Sequence, residues 1–171
     1  MNNIDISMLR LMVESAAANL KNNRKAVDDL NVFPVPDGDT GTNMSLTFSG
    51  AAEMTLLEEY DTAGKLLAKL ASASLRNARG NSGVILSQFF AGTAKGFEGV
   101  DQADPEALGH ALQMGVQQAY TSVMTPTEGT ILTVFRESAE YAKSHLADDS
   151  TLQDFLALTI EEAERSLDRT K

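Results

Sequence analysis

Asp37 and Asp39 stand two residues apart in the stretch Pro36-Asp37-Gly38-Asp39-Thr40-Gly41-Thr42-Asn43. Two carboxylates at that spacing in an extended loop can aim at one or two cations, and carboxylate oxygens are the ligands that hard cations such as Mg²⁺ prefer. Gly38 and Gly41 permit left-handed backbone and close approach. Thr42 reads as an N-cap, with helix from Asn43 to about Glu59, so Thr42, Asn43 and Met44 would present unpaired N–H groups to an anion. A cation site beside an anion site is what a magnesium-bound phosphate needs. Taken alone, Asp-Gly-Asp reads more readily as a solvated turn before a capped helix. An EF-hand loop fails on spacing, because Thr42 falls at the glycine position and Phe48 at that of the bidentate glutamate.

Two further interruptions precede helical patterns. Arg79-Gly80-Asn81-Ser82-Gly83 offers backbone N–H groups and a serine hydroxyl to an anion, although by itself it is more simply an interhelical turn. Met124-Thr125-Pro126-Thr127-Glu128-Gly129-Thr130 is weaker, and Thr130 reads first as a cap. A P-loop is absent, and so is a Gly-x-Gly-x-x-Gly run after a strand. His110 has no partner at metal spacing, His145 suits a helix C-terminus, and the methionines read as core filler. Glu161, Glu162 and Glu164 read as a solvated face. Phe89-Phe90 reads as packing, with a lipid or nucleotide wall as the alternative.

The elements that must carry these breaks are helical. Leu9, Met12, Val13, Ala16, Ala17 and Leu20 repeat at three and four, with Asn22-Asn23 near the end of that helix and a short second turn over 24–30. Asp61 could cap a helix burying Leu66, Leu67, Leu70, Ala73 and Ser74. Val84 to Phe90 begins another. Asp104-Pro105-Glu106 is a strong start signal for the helix burying Leu108, Ala111, Leu112, Val116 and Ala119. Ile131, Val134, Phe135, Ala139 and Ala142 mark the next, and the last runs from about Thr151 with Leu152, Phe155, Leu156, Ile160, Ala163 and Leu167. Prolines demote the apolar run at Val32–Val35 as a strand. The expectation is an all-α fold of six or seven helices in one domain.

Composition agrees. Of 171 residues, 43% are hydrophobic and only 6% aromatic, and alanine, leucine and methionine favour helix. The net charge of −10 argues against nucleic acid and requires metal to mediate any phosphate. The absence of cysteine excludes disulfides and thiolate zinc sites and suits a cytoplasmic protein. Neither a signal peptide nor a membrane span is expected.

The three breaks, in this order, resemble one family. Leu30 to Met44 looks like the signature of the dihydroxyacetone-kinase L domain, in the Asn-Val-Phe-Pro-Val-Pro form of the bacterial fatty-acid kinase branch. Ala78 to Gln88 and Thr125 to Leu132 look like its second and third motifs. The resemblance covers essentially the whole chain and implies an antiparallel α-helical barrel with ATP at one end. It implies two Mg²⁺ ions held by Asp37 and Asp39, which are also the catalytic candidates. The dihydroxyacetone kinases carry a third carboxylate five residues earlier. Here that position is Val32, and Asn31, one further back, is the expected third metal ligand. By the same resemblance Thr40, Thr42, Asn43 and Met44 line the phosphates, Asn81, Ser82 and Gly83 cradle them, and Thr130 and Ile131 lie near the adenine.

The family pattern continues into an Asp-x-Gly-Gly stretch that this sequence lacks, so the chain reads as a C-terminally truncated part of a longer protein. The resemblance implies phosphorylation of a fatty acid presented by a lipid-carrying protein bound through other regions, and is compatible with a homodimeric full-length protein. Two other readings stay open: a dihydroxyacetone (glycerone) kinase L subunit with bound ADP, and a non-catalytic nucleotide-binding module.

Overall fold

The structure, a computed structural model, describes residues 3–31 and 36–170. Among these it contains seven helices and no strand: α1 (Ile6–Asp29), α2 (Thr40–Leu56), α3 (Ala63–Asn77), α4 (Gly80–Gly96), α5 (Pro105–Thr121), α6 (Ile131–Ser144) and α7 (Leu152–Arg169). The all-α expectation holds; the expectation for Val32–Val35 lies outside the described residues. A single antiparallel bridge between Ile4 and Ala103 ties the start of the chain to the α4–α5 connection.

Several starts follow their caps. Asp104 accepts the Ala107 N–H at 2.8 Å with Pro105 at the first helical position, and Thr151 forms a capping box with Asp154. Others differ from the sequence reading. The first helix is continuous through Asn22-Asn23 to Asp29, because asparagine weakens a helix without breaking it. Thr62 rather than Asp61 caps α3, accepting the Lys65 N–H, while Asp61 pairs with the Lys65 ammonium. α2 begins at Thr40 and α4 at Gly80, so residues expected in loops form first helical turns.

Successive helices run antiparallel. Arg10 near the start of α1 donates to the carbonyls of Leu56 and Glu58 just past α2, while Asp28 at its end meets Thr42 at the start of α2. Gln88 of α4 meets Gln118 of α5, and Tyr120 of α5 meets Arg136 of α6. Arg169 of α7 pairs with Glu137 of α6. Odd-numbered helices therefore end, and α2, α4 and α6 begin, at one end of the molecule.

The core lies where amphipathic faces meet. The α3 residues Leu66, Leu67, Leu70, Ala73 and Ser74 are buried as expected. Phe48 of α2, Phe90 and Phe89 of α4 and Phe135 of α6 form a chain of rings, with centroids 5.1, 6.0 and 4.2 Å apart, beneath the end where the even helices begin. Ala16, Ile160 and Leu167 keep the helical period but are exposed. Glu162, expected on a solvated face, is buried and paired with Arg165 and Arg169, which fasten α7.

Glycines let α4 and α5 approach closely. A Cβ on Gly92 would stand 2.3 Å from the Met114 carbonyl oxygen, and one on Gly115 would stand 2.4 Å from Thr93 Oγ1 and 2.8 Å from the Phe89 carbonyl oxygen. Gly115→Val therefore forces the two helices apart. It is expected to destabilise the protein by about 2 kcal/mol or more, read as a lower urea midpoint with little change in slope.

Candidate functional site

The first break is built by the end of α1 folding onto the start of α2. Gly41 makes this possible: a Cβ there would lie 2.1 Å from the Arg24 carbonyl oxygen, so no other residue fits without moving backbone. Asp28, in the last turn of α1, accepts hydrogen bonds from the Thr42 N–H at 2.8 Å and the Thr42 hydroxyl at 2.7 Å. These two bonds, the hydroxyl's first, hold the Asp28 carboxyl below the usual aspartate range. Asn31 forms a second rung: its amide donates to Asp37 Oδ1 at 2.7 Å, and its carbonyl oxygen accepts from the Thr40 hydroxyl at 2.7 Å. Gly38 turns the loop at a φ of 66°.

Asp39 is the N-cap of α2 but makes no capping bond with its side chain. Its carboxylate is uncommitted among the described residues, and that of Asp37 is held only by Asn31. The donor set is all oxygen, which fits a hard divalent ion. No group of three or more His, Cys, Asp or Glu side chains that could hold a metal ion is gathered among the described residues.

The earlier start of α2 changes which amides face outward. Asn43 N–H already bonds the Asp39 carbonyl at 2.8 Å, and Thr42 N–H is given to Asp28. The expectation that Thr42, Asn43 and Met44 present unpaired N–H groups is thus corrected. Thr40 and Gly41 occupy the positions whose amides precede the helical ladder, and the Gly41 amide faces Asp28.

The second break packs against the first. Gly80, at a φ of 57°, sits so close to α2 that a Cβ would be 2.4 Å from Asn43 Nδ2. The fully buried Thr47 accepts the Arg79 N–H at 3.0 Å and donates to the Asn43 carbonyl at 2.7 Å. A Cβ on Gly83 would lie 2.3 Å from that same hydroxyl oxygen. Gly83 N–H bonds the Arg79 carbonyl at 3.0 Å, so its contribution is close packing rather than an outward N–H. Gly80, Asn81 and Ser82 form the first turn of α4, whose amides lie ahead of that ladder. Asn81 is exposed and Ser82 half-buried.

The third break starts α6 at the same end. Thr130 is its N-cap, accepting the Leu132 N–H at 3.3 Å while donating to the Thr127 carbonyl at 2.8 Å. Ile131, half-buried, follows as the first helical residue. Glu128 organises the loop, accepting from Thr133 Oγ1 at 2.6 Å, from Arg136 Nη2 at 2.9 Å and from the Tyr120 hydroxyl at 3.0 Å. This break reaches the others through Phe135, stacked on Phe89, and not by direct hydrogen bonds among the described residues.

A family model described as the DAK2 domain matches residues 34–171. The chain belongs to the DAK2 domain family. It is similar to Protein YloV of Bacillus subtilis, 45% identical over 159 residues covering 93% of this chain and 29% of the relative. Proteins described as uncharacterized from Staphylococcus haemolyticus (43% over 159 residues, 93% and 29%) and Staphylococcus saprophyticus (42% over 170 residues, 98% and 30%) are similar too. The chain thus spans less than a third of the length of these relatives. DAK2 domains are nucleotide-binding modules associated with kinases. No helix among the described residues of this one is long and apolar enough to cross a membrane.

Asp28, Thr47 and Glu128 buttress the three breaks, and sequence reasoning gave none of them a role. Asp28 alone carried a signal: an acid in the last turn of a helix opposes that helix's dipole and so invites another partner. Glu128 yields a pH prediction. The Thr133 hydroxyl, then Arg136, then Tyr120 lower its carboxyl from 4.5 to about 2. A depressed acid stabilises the fold fully above its unfolded pKa, and that contribution fades as pH falls through the folded value. Glu128→Gln should therefore melt below the parent at neutral pH, with the gap closing between pH 4.5 and about 2.

Proposed function

We propose that this DAK2 domain binds magnesium-ATP and positions the γ-phosphoryl group for in-line transfer to the carboxylate of a fatty acid presented by a separate lipid-carrying protein. The observation that supports the nucleotide half is the packing of Gly80, in the amide-bearing first turn of α4, against Asn43, one turn after Asp39 at the start of α2. Asp37 and Asp39 would hold the metal, with the Asn31 carbonyl oxygen joining by exchanging its Thr40 partner. Magnesium, when bound, neutralises phosphate charge and orients the transferring group. The first turn of α4, with Asn81 and Ser82, would take phosphate oxygens by N–H and hydroxyl. Thr40 would sit beside them, and Thr130 and Ile131 would face the base.

The acceptor half rests on the resemblance of Leu30–Met44 to the fatty-acid kinase branch. A carboxylate oxygen attacks the γ-phosphorus, the bond to the ADP oxygen breaks, and acyl phosphate and ADP leave. The protein supplies positioning and charge, which is most of what phosphoryl transfer asks. Net charge −10 supports the reliance on metal, since the chain repels ATP without it.

Asp37→Ala and Asp39→Ala should each abolish measurable magnesium-ATP binding by calorimetric titration while the helical circular dichroism stays intact. Unchanged affinity in either would sink the assignment. In the parent, EDTA should remove nucleotide affinity almost entirely, and tight metal-free ATP binding would contradict the role given to the metal. Product analysis in the full-length protein with its carrier decides the acceptor: acyl phosphate supports this reading, dihydroxyacetone phosphate replaces it with a glycerone kinase, and ATP binding with no acceptor phosphorylated leaves a non-catalytic module.

A further inference from the structure

A carboxylate in the last turn of a helix faces that helix's own negative pole, and α1 ends with both Asp28 and Asp29 and no basic residue. Asp29 is paired with Lys25 one turn back. Asp28 turns away from α1 and lies instead on the positive pole of α2. It takes the Thr42 N–H and hydroxyl there, with the Gly41 amide also facing it. The place at the start of α2 that could receive an external anion is therefore filled from within the chain. The same contact fastens the base of the loop that carries Asp37 and Asp39, with the Asn31 bonds to Asp37 and Thr40 as a second rung above it. Gly41 against the Arg24 carbonyl fixes how closely the two helices meet beneath it.

We infer that Asp28 is a positioning residue for the metal loop. It acts through Thr42 as the resident anion of α2, so that α2 contributes carboxylates for the metal while the outward amides of α4 are left for phosphate. This inference rests on the nucleotide reading above. It assigns Thr42 to Asp28 rather than to the nucleotide, a different role from the one the family resemblance implies.

The test uses Asp28→Ala, Asp28→Asn, Thr42→Val and the Asp28→Ala/Thr42→Val double variant in the full chain, with magnesium-ATP as probe. Affinity and the Mg²⁺ concentration for half-saturation at fixed ATP are both measured. Asp28→Ala should weaken magnesium-ATP binding about 10-fold or more and raise the Mg²⁺ requirement, as loss of a group that orients metal ligands does. Asp28→Asn, which keeps one acceptor oxygen in the same shape, should recover part of the loss and guards against a variant that fails to fold. The double variant should be no worse than Asp28→Ala, because the two residues act as one unit. A purely structural role would lower the melting temperature and leave the Mg²⁺ requirement where it was. Failures are separable: a parent that takes up no magnesium-ATP overturns the nucleotide reading on which this rests. A parent that binds, with Asp28→Ala and Thr42→Val each within about twofold of it, or with additive losses, overturns the inference alone.

Discussion

The first break, and the placing of Asp37 and Asp39, depend on how closely α1 is allowed to approach α2. Gly41 lies against the Arg24 carbonyl with no room for a methyl group, and this contact brings Asp28 within reach of Thr42. Asp37 and Asp39 lie just ahead of α2, with the Asp37 carboxylate held by Asn31. The carboxylate that opposes the dipole of α1 complements the dipole of α2, so a local electrostatic cost in one element becomes a junction between two. The buttress is intrachain and polar, and it orders the loop without placing a cation beside the carboxylates.

The second helix start is buttressed in a comparable way by different chemistry. Thr47, wholly buried, offers its hydroxyl to the backbone of the α3–α4 connection and lies where Gly83 has no side chain. The third start is held by Glu128 and its ring of donors. Each buttress satisfies polar groups that would otherwise be left without partners near helix ends. The aromatic chain from Phe48 to Phe135 gives all three a common apolar floor. Alternation of helix direction then follows from short connections, and it brings the positive poles of α2, α4 and α6 to one end.

Much of this was legible in the order of the residues. Periodicity located every helix, and strong caps such as Asp104-Pro105 and Thr151 set their starts correctly, since a cap bond reaches only three residues along the chain. Gly41 marked where two backbones come close, and the Asp37-Gly38-Asp39 spacing proposed its chemistry without any fold. Boundaries failed where a distant group substituted for a local one. Thr42 looked like an N-cap because its side chain is of the capping type, yet its hydroxyl donates to Asp28, fourteen residues earlier, and the helix begins at Thr40.

Sequence by itself therefore determined the helical class and the approximate placing of the helices, because these depend on propensity and near-neighbour spacing. Only the tertiary structure decided which amides are already paired, what holds Asp37, and that Glu162 is buried rather than solvated. Those outcomes depend on which helix face meets which neighbour. One turn of period 3.6 looks the same along the chain whether it is covered, as at Leu70, or left open, as at Ile160.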